Sequence, residues 1–250
     1  MEQPPLIPGL LQARRILCVQ PHYDDNDIGA GGTLASLSAR GVELIYLTVT
    51  DDLVGVADLS LSPESASQQL RREQRQAGDL IGVKEQVWLG FPDASSYDYF
   101  ELRRQIIRSI RLFRPDFLFT CDPWLPYEAH RDHLQTGLAV AEAAYLQSML
   151  RLPSDPVVDS QYAPYTISGV AFYFTHAPNV TYDISAYHDL KHRAIDLYRA
   201  QLNPQEMAEL LASLEAEERL AGAQGGFDYG EPLKIVTPAQ LHSNTHTWKM

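Results

Sequence analysis

The residues best suited to do chemistry in this 250-residue chain concentrate in two short runs. The first reads Pro21-His22-Tyr23-Asp24-Asp25 and the second His130-Arg131-Asp132-His133. Together they offer three imidazoles and three carboxylates. Three protein ligands of His and Asp type, with one position left open for water, make the pattern of a catalytic zinc centre. Neutral imidazole and carboxylate also suit Fe²⁺ or Co²⁺. Consecutive aspartates project differently, so one can bind a cation while the other faces its water. Each run alone has a plainer explanation. An Asp-Asp pair after a strand is ordinarily a turn or a helix cap, and a His-x-x-His pair is ordinarily surface or core. Metal chemistry gains weight because both runs follow strands and precede helices.

The elements that must position these runs can be read from periodicity and punctuation. Arg15 to Gln20 (RILCVQ) is a short apolar run with β-branched residues, expected as a buried strand. Gly29, Gly31 and Gly32 lead into a helix expected over 33–40. Strands are expected over 43–50, 86–90 and 116–121. Between them lie a helix opened by Pro63 and closed at Gly82, and another over 98–113 ended by Pro115. A helix over 134–150 follows the second run. Four alternations of strand and helix predict an α/β fold: a doubly wound, mostly parallel sheet with helices on both faces, Rossmann-like. In such sheets ligands bind outside the carboxyl ends of the strands, where the strand order reverses. If the first and fourth strands are neighbours, both runs face one crevice. Further on, 151–164 is expected as a loop, 168–175 and 180–184 as strands, and 186–201 as a helix. A charged helix over 205–221 then precedes a mostly irregular tail. One domain over 1–250 is expected, with its core at about 15–200 and the terminal helix and tail at 203–250.

Composition narrows the function classes. Twenty Lys and Arg against 32 Asp and Glu give a formal net charge of −12. That argues against nucleic-acid binding, which needs basic patches, and against docking on anionic lipid. Two cysteines, Cys18 and Cys121, exclude a disulfide scaffold and read as buried free thiols. No apolar run approaches the length of a bilayer span. Met1 to Arg15 is proline-rich, without a basic leader region or an apolar core, so no secretory signal is expected and a reducing cytoplasm fits.

At this point the residues carry a resemblance. His22 to Leu34 (HYDDNDIGAGGTL) resembles the His-Pro-Asp-Asp-x-Glu-Ile-Gly-x-Gly-Gly signature of the LmbE-like (PIG-L) N-deacetylases, and His130 to His133 (HRDH) resembles their His-Pro-Asp-His motif. Weaker echoes are Arg71-Arg72-Glu73, Leu80 to Val83, Leu89 to Asp93 (LGFPD) and Tyr182 to Ser185. The resemblance spans about residues 15 to 200. It implies a metal-dependent hydrolase, typically zinc, that removes acetyl from N-acetylglucosaminyl compounds. It further implies His22, Asp25 and His133 as metal ligands and Asp24 as general base. His130 becomes the general acid or oxyanion stabiliser, Asp132 the residue orienting it, and Arg72 a substrate contact, in uncertain register with Arg71. The implied partner is a small N-acetylated sugar conjugate, and a homo-oligomer is a further expectation because related enzymes often assemble. Three departures stand out: Tyr23 replaces proline, Asp27 replaces glutamate, and Arg131 replaces proline. None removes a ligand or the base. Asp27 is shorter than Glu, and Arg131 adds a positive charge near the mouth.

Two other readings compete. A nucleotide-binding oxidoreductase is suggested by the first strand and Gly29-x-Gly31-Gly32. However, the glycines do not form G-x-G-x-x-G directly after the strand, and Asp24 and Asp25 would repel a pyrophosphate. A metal-binding module without catalysis is the other, weakened by the presence of Asp24 and His130, which the ligand set does not need. Structural or surface roles are expected for His176, His188, His192, His242 and His246, His176 being the best outside candidate for the pocket. Trp124 and Tyr127 flank the second run, where packing is the default role and sugar stacking the alternative.

Overall fold

A computed structural model describes residues 9–242. Seven strands form one sheet in the order β3-β2-β1-β4-β5-β7-β6. They are β1 (Arg15–Gln20), β2 (Glu43–Thr50), β3 (Glu85–Phe91), β4 (Phe117–Cys121), β5 (Gly169–Tyr173), β6 (Val180–Asp183) and β7 (Gly230–Val236). The first five run parallel, and β7 is antiparallel to both β5 and β6. The helices are α1 (Asp25–Ala39), α2 (Pro63–Ile81), α3 (Tyr99–Phe113), α4 (Arg131–Leu146), α5 (Pro156–Gln161), α6 (His188–Ile195), α7 (Pro204–Gly225) and α8 (Pro238–His242).

The α/β prediction holds because central parallel strands are covered on both faces and therefore read as continuous apolar runs. Ile16 and Cys18 of β1 join one core cluster, with Leu34 of α1 and Leu70 of α2. Leu17 and Val19 point the other way, into a cluster with Ile106 of α3 and Val140 of α4. Helix ends follow the local chemistry. Ser62 caps α2 before Pro63, and Gly82 closes it at φ 92°. Asp98 caps α3 through the amides of Phe100 and Glu101. Asn203 and Glu206 form a reciprocal capping box on α7.

Two expectations need correction in ways that bear on the site. The first helix begins at Asp25 rather than residue 33, so the glycines lie inside it. Glycine costs about 1 kcal/mol in a helix interior, but here it permits close approach. A Cβ at Gly29 would lie 2.3 Å from the Tyr173 ring, and one at Gly32 would lie 2.8 Å from Ile184. The carboxylate of Glu231 also reaches this helix, accepting the amides of Gly32 and Thr33 at 2.9 and 2.7 Å. The tail is not irregular: it carries β7, which bridges the sheet. Its residues 234–236 pair with β5 and its residues 230–233 with β6. Smaller differences are α5 within the expected loop and a shorter α6. The proline-rich start to residue 8 and His246 lie outside the described residues.

Candidate active site

β1 pairs in parallel with β2 on one side and β4 on the other, with Ile16 opposite Phe117. The chain winds in opposite directions from this point, which opens a crevice at the carboxyl ends. The loop after β1 and the loop after β4 both enter it, as the neighbour condition required. The loops around that end store backbone strain. Asp52, Ala94, Tyr127 and Phe174, which follow β2, β3, β4 and β5, have φ of 56°, 49°, 68° and 54°. Non-glycine residues in this left-handed region concentrate at functional sites.

His22 leaves β1 and is only 9% exposed. Its backbone N–H donates to Asp25 Oδ2 at 2.8 Å, which fixes the first turn of α1. Asp25 then faces two imidazoles. Its Oδ2 is 3.2 Å from His22 Nδ1 and its Oδ1 is 3.3 Å from His133 Nε2. Burial alone would raise the Asp25 carboxyl, but the contacts with His133 and His22 outweigh it and hold it well below the usual range. Both imidazoles are in turn pushed up: burial opposes the shift, and their carboxylate partners prevail. His22, Asp25 and His133 place donor atoms within 4.8 Å of one another. The two shortest separations match the roughly 3.3 Å between ligand atoms of a tetrahedral centre with bonds of about 2.0–2.1 Å.

The outward nitrogens of both histidines meet carboxylates, the arrangement that fixes a metal ligand's tautomer and ring plane. His22 Nε2 lies 3.4 Å from Asp93 Oδ1 and 3.8 Å from Asp132 Oδ2. His133 Nδ1 lies 3.4 Å from Glu128 Oε2. The inward nitrogens, His22 Nδ1 and His133 Nε2, converge on the Asp25 carboxylate, and two imidazoles with one carboxylate at these separations fit a cation-centred arrangement. A second grouping, His22 with Asp93, His130 and Asp132, shares the Nε2 side of His22.

Asp24 precedes Asp25, and its side chain makes no capping hydrogen bond to α1. Burial first, and the neighbouring Asp25 charge second, push its carboxyl up to about 7. His130 is exposed at the mouth, and its ring lies 4.5 Å from His22 and 5.3 Å from His133. Asp132 is buried and lies between two imidazoles, 3.9 Å from His130 Nδ1 as well as 3.8 Å from His22 Nε2. It accepts the Ala94 amide and the Tyr97 hydroxyl, each at 2.9 Å. Burial works against its ionised form, yet the neighbouring His22 imidazole and these two donors hold its pKa at about 2.

Arg72 is exposed on α2. Its neighbour Arg71 is the one beside Tyr23, where it acts to lower the tyrosine's pKa, and it lies 5.3 Å from the Trp88 ring. Of the two arginines left open in register, Arg71 is thus the one next to the first loop. Asp27 is enclosed by the hydroxyls of Tyr46 and Tyr198 at 2.7 and 2.6 Å. Burial pushes its carboxyl up to about 6 against those two donors. Arg131 is exposed and lines a cavity of about 620 Å³ with Tyr97, His130 and Gln135.

Asp93, Glu128 and Asp52 are site residues to which the sequence alone assigned no role. Asp52 accepts the Tyr23 amide at 3.1 Å and the Gln201 side chain at 2.7 Å, and so holds the first loop. The nucleotide reading fails on placement, since Gly29, Gly31 and Gly32 lie inside α1 and pack against Tyr173, Lys191 and Ile184 rather than forming a phosphate-binding turn after β1.

Comparison with known proteins gives a consistent picture. The family described as PIG-L, GlcNAc-PI de-N-acetylase, matches residues 17–144. Diacetylchitobiose deacetylase of Thermococcus kodakarensis is 32% identical over 92% of this chain and 85% of its own length. The structure of N,N'-diacetylchitobiose deacetylase from Pyrococcus horikoshii superposes with a TM-score of 0.88 at 34% identity, covering 96% of this chain and 90% of that one. The 1D-myo-inositol 2-acetamido-2-deoxy-alpha-D-glucopyranoside deacetylase of Kineococcus radiotolerans is 27% identical over 54% of this chain and 46% of its own length. Both the sequence signature around His22 and the likeness along nearly the whole length place this chain in the PIG-L (LmbE-like) family.

Proposed function

We propose that the protein is a metal-dependent deacetylase. It hydrolyses the acetamide of an N-acetylated amino sugar to acetate and a free amine. The observation that carries this reading is the convergence of His22 and His133 on the Asp25 carboxylate, with Asp24 beside it. His22, Asp25 and His133 would hold the cation, and Zn²⁺ is our assignment because two imidazoles and a carboxylate suit it. We prefer this set to the one through Asp132, whose oxygens already accept Ala94 and Tyr97. When bound, the cation supplies a water of lowered pKa and polarises the amide carbonyl.

The chain's own groups do the rest. Asp24, with its proton affinity raised by burial, accepts the proton of the attacking water. The charge of a bound cation acts against that elevation. The proton gained by Asp24 balances the one the departing amine needs, so one carboxylate serves both steps. In this reading His130, at the mouth, meets the developing oxyanion, an interaction that strengthens in the transition state. Asp132 stays ionised and holds the His22 and His130 rings. Arg71, beside Tyr23, is the proposed contact to sugar hydroxyls.

The deacetylases named for diacetylchitobiose match this chain along nearly all of its length, whereas the inositol conjugate deacetylase matches about half. That supports a small chito-oligosaccharide as substrate. Among the described residues no helix is long and apolar enough to cross a membrane. Cys18 and Cys121 are buried free thiols, which supports the reading of a reducing cytoplasm. The test is amine release from N,N'-diacetylchitobiose, N-acetylglucosamine and an N-acetylglucosaminyl-inositol conjugate. Fastest release from the disaccharide is expected, and no amine from any of the three overturns the reading.

A further inference from the structure

A second cluster of metal-ligating side chains lies on helices α6 and α7. His188 and His192 are four residues apart on α6, so they share one helix face, and their ring centroids are 4.1 Å apart. Glu218 of α7 faces both: its Oε2 is 2.8 Å from His192 Nε2 and 3.3 Å from His188 Nε2. The donor atoms of all three lie within 4.8 Å of one another. His188 is 6% exposed, and its Nε2 is buried without a hydrogen-bond partner although it is aimed at Glu218. One carboxylate oxygen facing two imidazole nitrogens leaves this unpaired atom in place, and a cation between them removes the mismatch.

The surroundings fit. Lys191 forms ion pairs with the other Glu218 oxygen, Oε1, at 2.6 Å and with Glu231 Oε1 at 2.8 Å. Oε2 of Glu218 is thereby left for an ion, and two carboxylates against one ammonium leave the cluster with a net negative charge. The outward Nδ1 of His188 faces Asp189 Oδ1 at 3.1 Å, the partner a ligating imidazole ordinarily has. The Tyr229 ring stacks on His188 at 3.6 Å and closes one side. A cavity of about 570 Å³, lined by Lys191, Glu218 and Glu231, reaches the cluster and continues to Glu128 and His133.

We propose that His188, His192 and Glu218 form a second cation site, separate from the catalytic centre, that takes a structural divalent ion of the zinc type. The ion ties α6, which packs on α1 and α2, to α7, which leads into β7 and Glu231. Three protein ligands leave a fourth position for water.

The test uses the full chain, dialysed free of metal and titrated with Zn²⁺ alone, with bound zinc counted. Two equivalents are expected for the wild type, and one each for His192→Ala, Glu218→Gln and Asp25→Asn. In Asp25→Asn the remaining equivalent should raise Tm, and adding His192→Ala should abolish that rise. Because truncation at His192 can perturb folding, wild-type crystals grown with two equivalents of Zn²⁺ provide an independent readout. An anomalous peak at the zinc edge is expected between the two imidazoles and Glu218. A wild type that binds one equivalent, kept in full by His192→Ala, overturns the proposal, as does the absence of that peak. One equivalent lost by His192→Ala but kept by Asp25→Asn supports this site and counts against the catalytic one.

Discussion

A carboxylate next to a metal ligand and a histidine three residues before one are separable by what each loses when altered. Asp24→Asn keeps shape and loses basicity, so kcat should fall by about 10² to 10⁴ while zinc at the catalytic centre is retained. His133→Ala removes one of three ligands and should lose that zinc on dialysis. His130→Ala should keep it and bind substrate, with the loss in kcat. Reversed metal contents for the two histidine variants would exchange their roles. The arginine pair is a second residue-scale test. The buried stripe of α2 runs through Leu70, Glu73, Gln74, Ala77 and Ile81. At 100° per residue Arg71 flanks that stripe and Arg72 lies opposite it. Arg71→Ala should lower kcat/KM by about 10- to 100-fold, the worth of one charged hydrogen bond, and Arg72→Ala should stay within about twofold. Equal losses would return the contact to Arg72. The same helical arithmetic could have chosen Arg71 from the sequence. Asp93 and Glu128 had no such signal, because a lone carboxylate after Pro92 or in a polar loop reads as turn chemistry. Only the fold brings them to the outward nitrogens of His22 and His133.

At the scale of elements, α1 is held where its glycines let β5, the Ile184 turn and α6 approach. Gly32→Ala places a Cβ 2.8 Å from Ile184. Overpacking of this kind costs about 1–3 kcal/mol, so thermal unfolding should drop by several degrees. An unchanged Tm would show that Ile184 yields freely. A second element, α5, is tied to α3 by an ion pair of 2.7 Å between the buried Arg111 and Asp159. Burial disfavours the Asp159 carboxylate, but hydrogen bonds from Ser154 and Arg111 bring its pKa to about 2. That lies below the unfolded value of about 3.9. The stabilisation is therefore present above about pH 4 and lost as pH falls toward 2, and amounts to roughly 1 kcal/mol after allowance for exposure. Asp159→Asn should flatten stability between pH 4 and 2, and an unaltered acid limb would contradict it. The helix α1 was half legible. Its start was misplaced because Gly29-Ala30-Gly31-Gly32 reads as a turn, and the partners that justify glycine there come from residues 173, 184 and 191.

Over the whole molecule, the parallel half was readable because each strand and helix carries its own local signal. β1 is a continuous apolar run, Pro63 and Gly82 bracket α2, and Pro115 follows α3. β7 was not readable. Its Gly230-Glu231-Pro232 start resembles a loop, and proline cannot donate to a ladder. Pro232 is tolerated because that half of the strand pairs with β6 alone. The contacts that make β7 a strand join it to elements about 50 to 65 residues upstream, which no local pattern announces. The same sheet order brings the loops after β1 and β4 into one crevice, and the proposed chemistry depends on that convergence. The most direct measurement is acetate release from N,N'-diacetylchitobiose by the wild-type protein stripped of metal and then reconstituted with Zn²⁺. Negligible turnover in the stripped protein and recovery with zinc are predicted. Full turnover by protein shown to be metal-free would contradict the assignment of His22, Asp25 and His133 to a catalytic cation.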